Sequence, residues 1–327
     1  MQNTHTDTLE TVGIPSHGKR IDEMDFLKAV FIILMITFHL TFIGNTYPYA
    51  KQLVYTFHVP AFLVISGYFV SIGKPWGKFL KSMWWIFLPY AVMECGYTVM
   101  ASVLPIRDHI DGLSFFVVVR NVFATPLGPY WYLHTLVLCS MVYYFIFHYL
   151  RLGDLSRFIV LGVCFYVLSQ YLHVVSFANA CYFMAGAVVR RSGLAFLDVV
   201  KPSLWVIIPV VLIALDPVNL DRHTIAGAVM VYLVMSLCLF CFRYLRGRAR
   251  ALSLFIGRNT LVLLVFSPVF TVLTKLFQPY LLRVDSSGIL FMVVAVIFTV
   301  AGCFGTAYVM DWLHLSRYFF GQEKELK

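Results

Sequence analysis

FLKAVFIILMITFHLTFIG, residues 26–44, is apolar or neutral throughout except for one cation, Lys28, and one titratable ring, His39. A run of this length is close to what a helix needs to cross the hydrocarbon core of a bilayer. Eleven residues separate the two polar groups, and at ~100° per residue that spacing returns to within about 20° of the starting direction. Both side chains therefore share one face of one helix, roughly 16 Å apart along its axis. A lone intramembrane histidine is as often a hydrogen-bonded packing residue as a functional one, and a lysine near a helix end commonly snorkels to the surface. The pair on a single stripe is what packing does not require.

The rest of the chain agrees with a membrane reading. Of 327 residues, 60% are hydrophobic, 17% aromatic and only 13% charged, and the mean hydropathy is +0.81. These values exclude an ordinary soluble domain and identify an integral membrane protein. Apolar windows place spans near 26–46, 51–73, 82–104, 130–150, 156–173, 175–190, 203–216, 224–243, 254–281 and 287–311. The expected fold class is an all-α, polytopic bundle of about ten transmembrane helices. Residues 113–129, with Arg120 inside a short apolar run that ends in Pro and Gly, read as an interfacial or re-entrant helix. The seven cysteines all lie in apolar runs without paired spacing, so they read as small hydrophobes rather than a metal site or a disulfide framework.

The formal charge of +9 is spread over many short loops, which points to topology rather than to nucleic acid. With the N-terminus inside, the inner segments hold the basic groups around Lys19, Lys74, Arg151, Arg190, Arg246 and Arg317. The outer ones hold only Lys51, Arg107, Arg120, Arg222 and Arg283. This asymmetry predicts a multi-pass membrane protein with both termini cytoplasmic. Residues 1–23 read as a disordered cytoplasmic tail, 24–316 as the membrane domain and 317–327 as a C-terminal cytoplasmic tail.

In this topology Lys28 lies about one turn inside the inner boundary and His39 about two thirds of the way across. The next span runs back from Lys51, which brings His58 to a similar depth, with Pro60 loosening the helix beside it. His58 is balanced between catalytic partner and packing residue. Asp25 is expected to pair with Lys28 or to act as a helix N-terminal charge. Glu94, at the centre of the third span, either orients a histidine or sits in a structural hydrogen bond. Arg120, Trp131 and Tyr132 flank the outer mouth and are candidates for acceptor binding, against the plainer reading of interfacial belt residues.

Several phrases carry a resemblance. RIDEMDFLKAVFIILMITFH (20–39) and FHVPAFLVISGYF (57–69) resemble the N-terminal signature of acyltransferase family 3, the polytopic membrane O-acyltransferases, and its sugar-acetylating subgroup. GKFLKSMWWIFLPY (77–90), PYWYLHTLVL (129–138), CYFMAGAVVRR (181–191) and IGRNTLVLLVFSPVF (256–270) are similar to later spans, so the likeness covers nearly the whole chain. The chain departs from the family in carrying Lys78 and Lys81 where relatives have a pair of arginines, which keeps charge but loses the bidentate fork. It also has Ser267 where relatives often have a histidine before the proline.

The resemblance implies transfer of an acetyl or other acyl group from cytoplasmic acyl-CoA to a hydroxyl of a cell-surface glycan or lipid-linked sugar. Acyl-CoA would be a substrate, with no resident cofactor and no metal. Lys28, Lys78 and Lys81 would hold the CoA phosphates, and His39 would serve as general base or transient acyl carrier, with His58 and Glu94 beside it. Ser66, Tyr68, Tyr90 and Asn259 are the candidate oxyanion donors. The alternative function is a polysaccharide exporter on the same scaffold, although no internal repeat between the halves supports it.

Overall fold

The computed structural model describes residues 21–103 and 109–327. The N-terminal tail through residue 20 and Arg107 lie outside the described residues. All regular structure among the described residues is helical. The polar face of each backbone is thereby satisfied within its own segment, as a bilayer demands.

The opening run forms α1 (Asp22–His39) and a one-turn continuation, α2 (Thr41–Thr46), rather than one unbroken span. The break falls at Leu40, whose extended backbone bends the chain just past His39. Asp22, Glu23 and Asp25 occupy the first turn of α1, where the helix dipole favours negative charge. Lys28 Nζ lies 2.7 Å from Asp25 Oδ1, the pairing expected from sequence. A single residue, Tyr47, then leads into α3 (Pro48–Phe69), which returns antiparallel to α1 and contains Pro60. The long α4 (Trp76–Val103) follows, and then a nine-residue helix, α5 (Phe115–Phe123). Phe115, Phe116 and Arg120 of α5 are exposed and Val117, Val118 and Val119 half-buried, which fits the interfacial reading of 113–129.

The remaining helices are α6 (Trp131–Tyr149), α7 (Asp154–Gln170), α8 (Phe177–Arg191), α9 (Phe196–Val199), α10 (Ile207–Ala214), α11 (Ile225–Phe242), α12 (Gly247–Arg258), α13 (Thr260–Leu273), α14 (Gln278–Val284), α15 (Ile289–Trp312) and α16 (Ser316–Phe319). Among the described residues, five stretches are long and apolar enough to cross a membrane: Pro48–Phe69, Trp76–Val103, Phe115–Tyr149, Ile225–Phe242 and Ile289–Trp312. A sixth results if Gly247–Arg258 and Thr260–Leu276, bent by 83°, form one span. The count of ten is therefore not confirmed. The first expected span is broken at Leu40, while α7, α8 and α10 have 17, 15 and 8 residues, short of the ~20 that a single crossing takes.

Two close helix crossings set the frame. At the α3–α8 contact, a Cβ on Gly67 would collide with the Phe183 carbonyl, and one on Gly186 would collide with the Val64 carbonyl. The two backbones approach because each helix offers the other a bare Cα, the small-residue packing on which membrane helices rely. At the second crossing, Gly257 of α12 lies against the Asp25 carbonyl of α1. That proximity brings Arg258 Nε to 3.4 Å from Asp25 and its terminal nitrogen to 3.2 Å from Asp22, with Arg250 at 3.3 Å from Asp22. The start of α1 is thus tied to α12 by a network rather than by one pair.

The elbow between α12 and α13 is braced by the end of the chain. Asn259 accepts the Lys327 amide at 2.9 Å and donates to its carbonyl at 3.1 Å. Asp311 takes the amides of Glu325 and Leu326, and Phe320 is buried. Residues 317–327, expected as a tail, pack back on the bundle.

Candidate active site

Three prolines and a bent loop open a cavity of ≈ 640 Å³ beside the C-terminal end of α1, a volume within the usual range for small-molecule sites. Pro60 lies inside α3 and Pro268 inside α13, beside or in the wall, each removing one backbone donor. Pro129 enters from the loop before α6. Both sequence-predicted histidines line this space, together with Trp131 and Tyr132.

The two imidazoles are oriented by their own helices. His39 Nδ1 is 2.7 Å from the Met35 carbonyl, and His58 Nδ1 is 2.7 Å from the Val54 carbonyl. A carbonyl oxygen only accepts, so Nδ1 carries the proton in each ring and Nε2 is left as the basic nitrogen. His58 Nε2 is buried without a hydrogen-bond partner among the described residues. Tyr55 stands between the rings, with centroids 6.0 Å from His39 and 5.1 Å from His58, and its hydroxyl donates to the Phe38 carbonyl at 3.3 Å. The first helical hairpin brings both rings to one cavity, with an aromatic spacer between them.

The opposite wall is positioned from α4. Glu94 is fully buried and its Oε1 accepts the Leu127 amide at 2.6 Å. Tyr90 donates to the Val122 carbonyl at 2.8 Å, and the His134 ring is 3.0 Å from the Phe123 carbonyl. These side chains satisfy carbonyls that end α5 and an amide of the loop after it, groups a helix terminus otherwise leaves open. The loop is held so that Pro129, Trp131 and Tyr132 face the cavity. Glu94 is not itself in the cavity wall. The Tyr132 hydroxyl is 2.8 Å from Ser66 Oγ, which connects the wall to the SGY phrase of α3.

The other sequence candidates lie elsewhere. Arg120 is exposed on α5 and does not line the cavity. Lys28, Lys78 and Lys81 belong to the opposite end of the bundle, where Lys28 is ion-paired and the other two are exposed on the first turns of α4. Of the candidate oxyanion donors, Tyr90 and Asn259 are committed to backbone groups, and Tyr68 is buried against Phe196.

The cavity also recruits residues that sequence reasoning did not select: Tyr55, Arg222, Lys275 and Ser267. Tyr55 carried a signal, since Lys51, Tyr55 and His58 follow the spacing of one helical face. Arg222 carried none, because its guanidinium reaches the site only through the tertiary fold, stacked over Trp131 at 5.4 Å. Its backbone is fixed by the Tyr182 hydroxyl, which donates to the Arg222 carbonyl at 2.7 Å.

No curated protein and no solved structure matches the chain in comparison. The family described as Acyltransferase domain matches residues 21–308, a span that takes in both histidines, the glycine crossings and every wall of the cavity. The chain therefore belongs to acyltransferase family 3 and is a multi-pass membrane acyltransferase.

Proposed function

We propose that this protein moves an acyl group, acetyl in the simplest case, from cytoplasmic acyl-CoA to a hydroxyl of a cell-surface glycan or lipid-linked sugar. The observation that carries the reading is His39. Its Nδ1 is tied to the Met35 carbonyl inside a cavity that also holds aromatic and cationic groups, so Nε2 is the nitrogen offered to a substrate. As a base, Nε2 takes the proton of the acceptor hydroxyl while that oxygen attacks the thioester carbonyl. The C–S bond breaks and the thiolate recovers the proton. As an acyl carrier, Nε2 itself attacks the carbonyl, the C–S bond breaks and the thiolate departs from an acyl-imidazolium, and the sugar hydroxyl then displaces the acyl group from the ring while its proton goes to the thiolate.

The loop charges support a cytoplasmic location for both termini, in a bacterial inner membrane. Lys28, Lys78 and Lys81 then lie on the donor side and the histidine cavity towards the outer face. The basic groups act on CoA phosphates as point charges. Trp131 and Tyr132 offer ring faces and a hydroxyl to the sugar, and Arg120 takes a more peripheral part at the exposed interface.

Transfer of label from acetyl-CoA to glycan in membranes containing the protein tests the reading. His39→Ala is expected to lower transfer by about 10²–10⁴-fold, the usual worth of a positioned base, and Lys28→Ala to raise the KM for the donor. Label reaching glycan at the wild-type rate in the His39 variant would remove the histidine from the mechanism. Unchanged glycan export without any transfer would favour the exporter instead.

A further inference from the structure

A second cavity of ≈ 720 Å³ adjoins the first. It lies between the start of α3 and the loop that precedes α11, and its lining includes Asn45, Lys51, Gln52, Tyr55, Arg222 and His223. Tyr55 and Arg222 line both cavities, so the two spaces share a wall made of one phenol and one guanidinium. The vestibule is built rather than incidental. Gln52 Nε2 donates to the Pro217 carbonyl at 2.9 Å and the Tyr49 hydroxyl donates to the Ala214 carbonyl, which fastens the loop after α10 to the start of α3. Gly44 lets the Lys51 side chain lie across α2, because a Cβ there would press on Lys51 Cδ at 3.1 Å and Nζ at 3.3 Å.

The charges in this space do not cancel. Neither Lys51 nor Arg222 joins any of the ion pairs among the described residues. Each has an aromatic face instead: Lys51 lies 5.5 Å over Tyr55 and Arg222 lies 5.4 Å over Trp131. Asp221 is the acidic group in the lining, and it is engaged by His223, whose amide and Nδ1 approach its Oδ1 at 2.9 and 2.7 Å. Those hydrogen bonds hold the Asp221 carboxyl below its ordinary range. Asp221 stays ionised beside Arg222, so Lys51 and Arg222 leave one net positive charge in this space, and two cations held on ring faces next to a reaction cavity suit an external anion. Arginine can grip it with two parallel hydrogen bonds.

We propose that the vestibule docks the acyl acceptor through an anionic group, a carboxylate or a phosphate, held between Lys51 and Arg222. The hydroxyl to be acylated then passes between Tyr55 and Trp131 towards His39. The proposal rests on the reading of the histidine cavity as the transfer site and adds a substrate class to it: acceptors that carry negative charge near the reacting sugar.

Binding, separated from catalysis, tests it. The full chain is placed in phosphatidylcholine nanodiscs, and two pairs of probes are measured by equilibrium binding. The first pair is a uronic-acid trisaccharide and its neutral methyl ester. The second is a polyprenyl diphosphate-linked sugar and the corresponding uncharged polyprenyl glycoside. At least one charged probe is expected to bind about tenfold tighter than its neutral partner, about 1.4 kcal/mol, with the advantage shrinking as salt rises. The pair that shows the effect identifies carboxylate or phosphate as the source.

The double variant Lys51→Gln with Arg222→Gln is expected to erase the preference. Lys51→Arg retains most of it, which guards against a loss caused by misfolding, whereas Arg222→Lys keeps the charge, loses the two-pronged grip and retains only part. Equal binding of charged and neutral probes by the wild type overturns the proposal, and so does a preference that survives the double variant. The same measurement on His39→Ala keeps the two ideas apart. A charge preference retained there supports the docking site even if acyl transfer by the wild type fails, whereas transfer without any charge preference sinks the docking site alone.

Discussion

Glu94 and the two histidines were equal in sequence, each a polar side chain in an apolar span, and the fold gives them different work. The histidines line the cavity, while the Glu94 carboxylate accepts the Leu127 amide outside the cavity wall. Such an acceptor positions the wall without needing to react. Glu94→Gln keeps an oxygen for that amide, and transfer is expected to stay within about threefold of wild type. Glu94→Ala leaves the part-buried Leu127 N–H without its acceptor, at a cost of about 1 kcal/mol. It is expected to raise the acceptor KM more than it lowers kcat, since the loop carrying Trp131 loses its anchor. A large kcat loss in the glutamine variant would instead make Glu94 a participant in the chemistry. At this scale the sequence could show that the residue was costly to bury, but not which amide it had been buried to meet, because Leu127 lies in a loop with no periodicity to read.

At the scale of elements, helix faces were legible and helix junctions were not. The shared stripe of Lys28 and His39 survives because both lie on the uninterrupted α1. The span count of ten is not confirmed, and the chain turns inside expected spans at Leu40 and at Asn259, since hydropathy averages over a bend that costs no polarity. The α3–α8 crossing is equally silent in sequence, as a glycine in a helix can mean a kink, a contact or nothing. Here the contact is direct. Gly67→Leu is expected to force α3 and α8 apart and lower the detergent-solubilised melting temperature by several degrees, the shift that follows from 1–3 kcal/mol of overpacking. Gly96→Leu, on α4 with open space around it, serves as the control and is expected to leave the melt nearly unchanged.

For the whole molecule, the bundle closes on itself through residues 320–327 over the α12–α13 elbow. Burial pushes the Glu325 carboxyl up to about 7, with Asp311 reinforcing and Lys327 opposing the shift. A carboxyl whose docked pKa lies above its free value stabilises docking fully below the free value and loses that contribution as pH rises through about 7. Amide exchange at Glu325 and Leu326 is therefore expected to speed up between pH 6 and 8 by more than the intrinsic increase with hydroxide, and Glu325→Gln to remove the excess. An unchanged excess in that variant would assign the pH dependence to another group.

The molecule as a whole also shows why the lysines at one end of the bundle were easier to single out than the cations of the cavity. Lys28, Lys78 and Lys81 sit beside boundaries that loop charge reveals, whereas Arg222 is delivered by a fold no single segment encodes. One feature of the cavity reaches further. Each imidazole is tied to a carbonyl one turn earlier on its own helix, so the identity of its basic nitrogen owes nothing to α6, α13 or the loop before α11. The walls can diverge without changing which nitrogen each ring offers, and a designer seeking a new clientele can randomise Thr41, Met100 and Val272 while keeping both rings in the same tautomer.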